Sequence, residues 1–86
     1  MRTRPSGTPE NQALGRLVRR ARKTARMSQA RLAALLGQPQ SFVSKVERGE
    51  RHLEVVVFLD VARALGLDPF ALLREYVDGA GDADDE

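Results

Sequence analysis

Gln40, Ser41, Ser44 and Lys45 put four hydrogen-bonding side chains at spacings of one, three and four residues. On a helix that spacing collects them on one side. Val43 and Val46 alternate with them and, three apart, share a buried side with Leu32, Ala33 and Leu36 of the segment before. The polar group is thus left uncommitted while its helix is anchored. An amide, two hydroxyls and an ammonium can donate to and accept from base edges, so two short helices joined at Gly37 describe a helix-turn-helix unit suited to reading duplex DNA.

Other chemistries find little support. The chain has no cysteine and one histidine, so disulfides and thiolate metal sites are excluded and neither metal nor cofactor is expected. Ser41, His52 and Asp60 are triad-type residues, but no nucleophile elbow or oxyanion motif arranges them, and catalysis is not expected. Glycine patterns that cradle phosphates or dinucleotides are missing. The longest apolar run, residues 55–59, is far too short to span a bilayer, and residues 1–9 do not read as a signal peptide, so none is expected and a cytoplasmic, nucleoid-associated protein is the expectation.

The elements that must hold this face follow from periodicity. Eighty-six residues make one small domain. Leu14, Leu17, Val18, Ala21 and Ala25 mark the buried stripe of a first helix over residues 10–25. Ser28 is a suitable N-cap for a second helix ending near Leu36, where Gly37 supplies a left-handed stop. Pro39 suits the first turn of a third helix, which runs to Arg48 and halts at Gly49. Residues 53–65 favour a fourth helix: Val55-Val56-Val57 locally prefers a strand, but Leu59, Ala62 and Leu65 keep a three-residue spacing too long for one. Asp68-Pro69 opens a fifth helix to Val77, with Phe70, Leu73, Tyr76 and Val77 apolar. The expected fold is an all-α, compact five-helix bundle. A flexible basic arm over 1–9, carrying Arg2 and Arg4, and an acidic, disordered tail over 78–86 flank a domain over 10–77.

Charge is divided along the chain. Residues 1–51 hold twelve Arg and Lys against three acids, a balance of +9; residues 52–86 hold two against nine, a balance of −7. The basic half coincides with the helix pair, which implies one face turned to a polyanion.

The chain resembles the Xre/Cro family of helix-turn-helix regulators, the group of the lambdoid phage repressors. The likeness spans residues 14–76 and lies in the R-x-x-R of Arg19 to Arg22, Ser28-Gln29, Leu32-Ala33, Gly37, Val43, Val46, Glu47-Arg48-Gly49 and the segment Ala62 to Pro69. The resemblance implies a lambda-repressor-like domain and a sequence-specific, dimeric transcriptional regulator, a repressor reading the major groove with residues 39–48. Its partners would be a second copy and a pseudo-palindromic operator. Gln40 and Ser41 match the family's base-contacting positions, and Ser44 and Lys45 lie along the same face. Gln29 matches a glutamine that binds a phosphate and props the reading glutamine. Arg19, Arg48 and Arg51 are further candidates for the phosphates. Arg22 and Glu47 match a structural ion pair. Dimer contacts are expected in the C-terminal helices: Tyr76 and Val77 first, with Phe70 and Leu73 either joining them or closing the core.

Four positions depart from the family pattern. Arg26 stands where a glycine often ends the first helix, Ala30-Arg31 replaces acidic residues after Ser-Gln, and Gln38 replaces an apolar residue. The rival reading is a helical protein-interaction module without specific DNA binding. It requires aliphatic or aromatic anchors on the face where this chain carries polar groups.

Overall fold

A computed structural model describes residues 7–79, so most of the basic arm and of the acidic tail lies outside the described residues. Five α-helices follow in order: α1 (Pro9–Thr24), α2 (Gln29–Leu36), α3 (Gln40–Glu47), α4 (Val55–Ala64) and α5 (Pro69–Val77). No strand occurs among the described residues. α1 begins one residue before the expected start because Thr8 serves as its N-cap: its hydroxyl accepts from the Asn11 N–H at 3.2 Å, and Pro9 fills the first position. Ser28 caps α2 by accepting from the Arg31 N–H at 3.0 Å, and Asp68 caps α5 by accepting from the Phe70 N–H at 3.1 Å. Pro39 differs from expectation. It is the N-cap of α3 rather than its first residue, and it offers no side-chain acceptor.

Two adjoining clusters form the core. Val18, Leu32, Ala33, Phe42, Val43, Val46, Val61 and Leu65 lock α2 and α3 against α1 and α4. Leu17, Phe58, Ala62 and Leu72 fasten α5 beneath α1 and α4. Ala25, expected in the stripe of α1, is exposed at the helix's C-cap.

The turn between α1 and α2 carries a strained residue. Arg26 has φ of 58°, the left-handed region that crowds a Cβ. Its place is set by bonds from the Arg26 N–H to Lys23 and the Met27 N–H to Arg22, the closing pattern of a helix that usually has glycine there.

Gly15 matters for a different reason. A Cβ there would come within 2.7 Å of the Glu47 carbonyl oxygen and also collide with that of Val46. α1 therefore approaches the end of α3 backbone to backbone, and only a residue without a side chain permits it.

Candidate nucleic-acid interface

α3 is oriented from below by a buried charge pair. Arg22 of α1 and Glu47 of α3 are each 7% exposed. The Arg22 Nε donates to Glu47 Oε2 at 2.6 Å and Nη2 to Oε1 at 3.0 Å, a two-pronged bond that fixes both side chains. Arg22 Nη1 also donates to the Met27 carbonyl at 2.8 Å, so one guanidinium holds the α1–α2 turn and the end of α3 together. No buried side-chain polar atom among the described residues lacks a partner.

The pair extends to the surface. Gln29 Nε2 donates to Glu47 Oε1 at 3.0 Å, and Gln40 Nε2 donates to Gln29 Oε1 at 3.4 Å. An ionised carboxylate only accepts, so Gln29 must turn its NH2 inward and its oxygen toward Gln40. Gln40 then gives one amide hydrogen to Gln29. It keeps one N–H donor and one carbonyl acceptor side by side for an outside group.

Ser41 and Lys45 are exposed beside Gln40, and Ser44 is half-buried on the same side. Arg48, expected at a phosphate, is turned onto this face: Nη1 donates to Ser44 Oγ at 2.6 Å, and Nε and Nη2 donate to the Glu50 carboxylate at 3.1 and 3.2 Å. The hydrogen bond from Arg48, and then its charge, hold the Glu50 carboxyl below its ordinary range, with Lys45 adding a smaller pull. The same bond raises Arg48. Glu50 was not among the residues singled out by type, because its part depends on the turn that follows α3.

Arg51 lies 5.1 Å from the centre of the Phe42 ring, a cation–π contact. Phe42 itself is 7% exposed and is a core residue that helical spacing did not single out. Arg19 is exposed on α1, where Arg16, Arg19, Arg20, Lys23 and Thr24 line a shallow depression of about 420 Å³. Asn11 also escaped the sequence reading. Its Nδ2 donates to the Gly49 carbonyl at 2.9 Å, and the Gly7 N–H donates to the same oxygen at 2.7 Å, which clips the start of α1 to the loop after α3.

The expected dimer residues separate. Phe70 is 77% exposed, Val77 72% and Leu73 47%, whereas Leu72, unmarked by the sequence, is the buried anchor of α5 at 1%. Tyr76 packs on the cluster around Leu17 and Leu72, and its hydroxyl donates to the Glu10 carbonyl at 3.2 Å, so it is half-buried against α1. Among the described residues, no group of His, Asp and Glu could hold a metal ion, and no helix is long and apolar enough to cross a membrane.

Residues 13–75 match the family of helix-turn-helix domains. The solved structure of an XRE-family-like protein from Pseudomonas syringae shares 49% identity, covering 80% of this chain and 84% of that one, with a TM-score of 0.72. The chain belongs to the XRE-type helix-turn-helix family. A second relative of this helix-turn-helix domain is the restriction-modification controller protein C.AhdI from Aeromonas hydrophila: 35% identical, TM-score 0.71, covering 76% of this chain and 98% of that one. An uncharacterised HTH-type transcriptional regulator, y4dL of Sinorhizobium fredii, is 43% identical over 51 residues, 59% of this chain. The domain spans about a quarter (26%) of that relative's length.

Proposed function

We propose that this protein is a sequence-specific double-stranded-DNA-binding transcriptional regulator that inserts α3 into the major groove. One observation carries the reading: the bonded series Arg22, Glu47, Gln29, Gln40 leaves Gln40 with a donor and an acceptor adjacent and in fixed order. Adenine offers the complement, N7 as acceptor and the N6 amino group as donor, and such a two-point contact discriminates by about 1–3 kcal/mol. Ser41, Ser44 and Lys45 extend the contact along the groove. Gln29, whose second amide hydrogen is uncommitted in these bonds, grips a phosphate together with Arg19 and Arg51. The kinship with a restriction-modification controller and an HTH-type regulator agrees with this role.

The protein acts as a homodimer. One short helix covers few base pairs, and a symmetric pair spanning half-sites about 34–36 Å apart supplies the missing specificity. Phe70, Leu73 and Val77 recur at spacings of three and four on the exposed side of α5, where a second copy would cover them. Bound at a promoter, the dimer represses by occluding polymerase. The protein works in the cytoplasm on the nucleoid, without catalysis, metal or cofactor.

Titration of duplex DNA across a salt series tests the reading against a docking module. A DNA binder loses affinity steeply and linearly on logarithmic axes as salt rises. Absence of binding at low salt, with capture of a protein partner instead, would refute it.

A further inference from the structure

Arg48 occupies the middle of the reading arc rather than its rim. With about 100° between successive helical residues, and Gln40 as reference, Ser44 lies near 40°, Arg48 near 80°, Ser41 near 100° and Lys45 near 140°. Arg48 keeps right-handed helical dihedrals, with φ of −85° and ψ of 0°, so its side chain still follows that track. It bends back toward the N-terminal end of α3, as long helical side chains do, and meets Ser44 Oγ at 2.6 Å.

Its carboxylate partner is held in place independently. The Gly49 N–H donates to the Val46 carbonyl at 3.0 Å and the Glu50 N–H to the Lys45 carbonyl at 2.9 Å, with Gly49 at φ of 76°. That closing turn sets Glu50 against Arg48, the C-cap of the helix. Glu50 then takes the Nε–Nη2 edge of Arg48, at 3.1 and 3.2 Å. A guanidinium has five N–H donors. These three bonds leave one on each terminal nitrogen, a two-donor edge beside Ser44.

We propose that Arg48 reads a guanine, aimed by Ser44 and Glu50, rather than anchoring a phosphate. Guanine presents two adjacent acceptors, O6 and N7, to the major groove. A phosphate also offers paired oxygens, but the Glu50 carboxylate beside it would repel the same charge that Arg48 attracts. Beside a neutral base edge that opposition is smaller, and a guanidinium already held on two sides loses less freedom on binding. The inference rests on the DNA-binding role of α3 proposed above.

The test is selection from random duplex DNA with the wild type, Arg48→Lys and Glu50→Gln, followed by affinities for the selected site and for random duplex. Arg48→Lys keeps the charge and loses the fork. We expect unchanged random-duplex affinity and salt slope, a loss of about ten-fold or more on the selected site, and no guanine preference at one position of each half-site. Glu50→Gln should tighten random-duplex binding while weakening preference at that same position, so the ratio of specific to non-specific affinity falls. If the wild type enriches a site and both variants keep every base preference, Arg48 is a phosphate anchor and this inference alone is overturned. If the wild type enriches nothing, the inference falls together with the DNA-binding reading.

Discussion

Arg22 and Arg48 each meet a glutamate at the C-terminal end of α3, at Glu47 and Glu50, but the first pair is buried and the second stands in solvent. The side chains of Arg22 and Glu47 are 9% and 3% exposed, against 55% for both partners of the other pair. Depth changes what the same chemistry can do. Buried charges attract strongly but must be fully bonded, and Arg22 and Glu47 are, through Met27 and Gln29 as well as each other. Such a pair sets the tilt of α3. The exposed pair contributes little to folding because water screens it, and its geometry matters for binding instead.

Breaking the buried pair should have the largest effect. Arg22→Met leaves Glu47 as an uncompensated buried charge and should cost about 3–5 kcal/mol in denaturant unfolding. Adding Glu47→Leu should restore much of that stability while DNA affinity stays low, because Gln29 then has no acceptor to orient it. Full recovery of affinity in the double variant would show that the series of bonds does not aim Gln40.

Gly15→Ala should cost about 1–3 kcal/mol, since its Cβ meets the carbonyl oxygens of Val46 and Glu47 and α3 must be pushed away. DNA affinity should fall more than stability alone explains. A crystal structure of the variant with α3 undisplaced would contradict that.

Arg26→Gly should act in the opposite direction. Relief of the left-handed strain, offset in part by glycine's greater freedom when unfolded, should stabilise by about 0.5–1 kcal/mol. That corresponds to a rise of a few degrees in Tm for a domain of this size. An unchanged or lower Tm would mean that the turn carries no strain.

The exposed pair should give the smallest response. Glu50→Gln should leave the Tm at neutral pH unchanged within error. The Glu50 carboxyl is held below its ordinary range, so the stabilisation it does supply is present above that range and is lost as pH falls through the lowered value. Screening keeps this contribution small. Thermal melts of wild type and Glu50→Gln should therefore coincide within error at neutral pH and in acid alike; a wide gap at neutral pH that closes in acid would mean that the exposed pair also holds the fold.

The helices were legible where period and caps agreed. Ser28, Gly37 and Asp68-Pro69 stop and start elements by local backbone chemistry, which one sequence displays. Val55-Val56-Val57 favoured a strand locally, but Phe58, Val61, Ala62 and Leu65 bury a helical stripe, so tertiary packing decided α4. The faces of α5 were not legible. Leu72 and Leu73 are adjacent and equally apolar, and only the approach of α1 determines that Leu72 goes inside. The same approach captures Tyr76 through the Glu10 carbonyl. Gly15 gave no signal because a glycine in a helix marks a close contact without naming its partner. At the site, the polar series on α3 was visible by spacing, whereas the Arg48–Glu50 arrangement was not: the two residues are two apart and meet only because a left-handed turn at Gly49 brings them together.

Selection of binding sites from random duplex DNA by wild type and Gln40→Ala tests the central claim most directly. The account predicts that the wild type enriches a pseudo-palindrome with half-sites about 10–10.5 base pairs apart. Gln40→Ala should lose an adenine preference at one position of each half-site, with affinity for the wild-type site down by about 1–3 kcal/mol. Identical enriched sequences from the two proteins would contradict it.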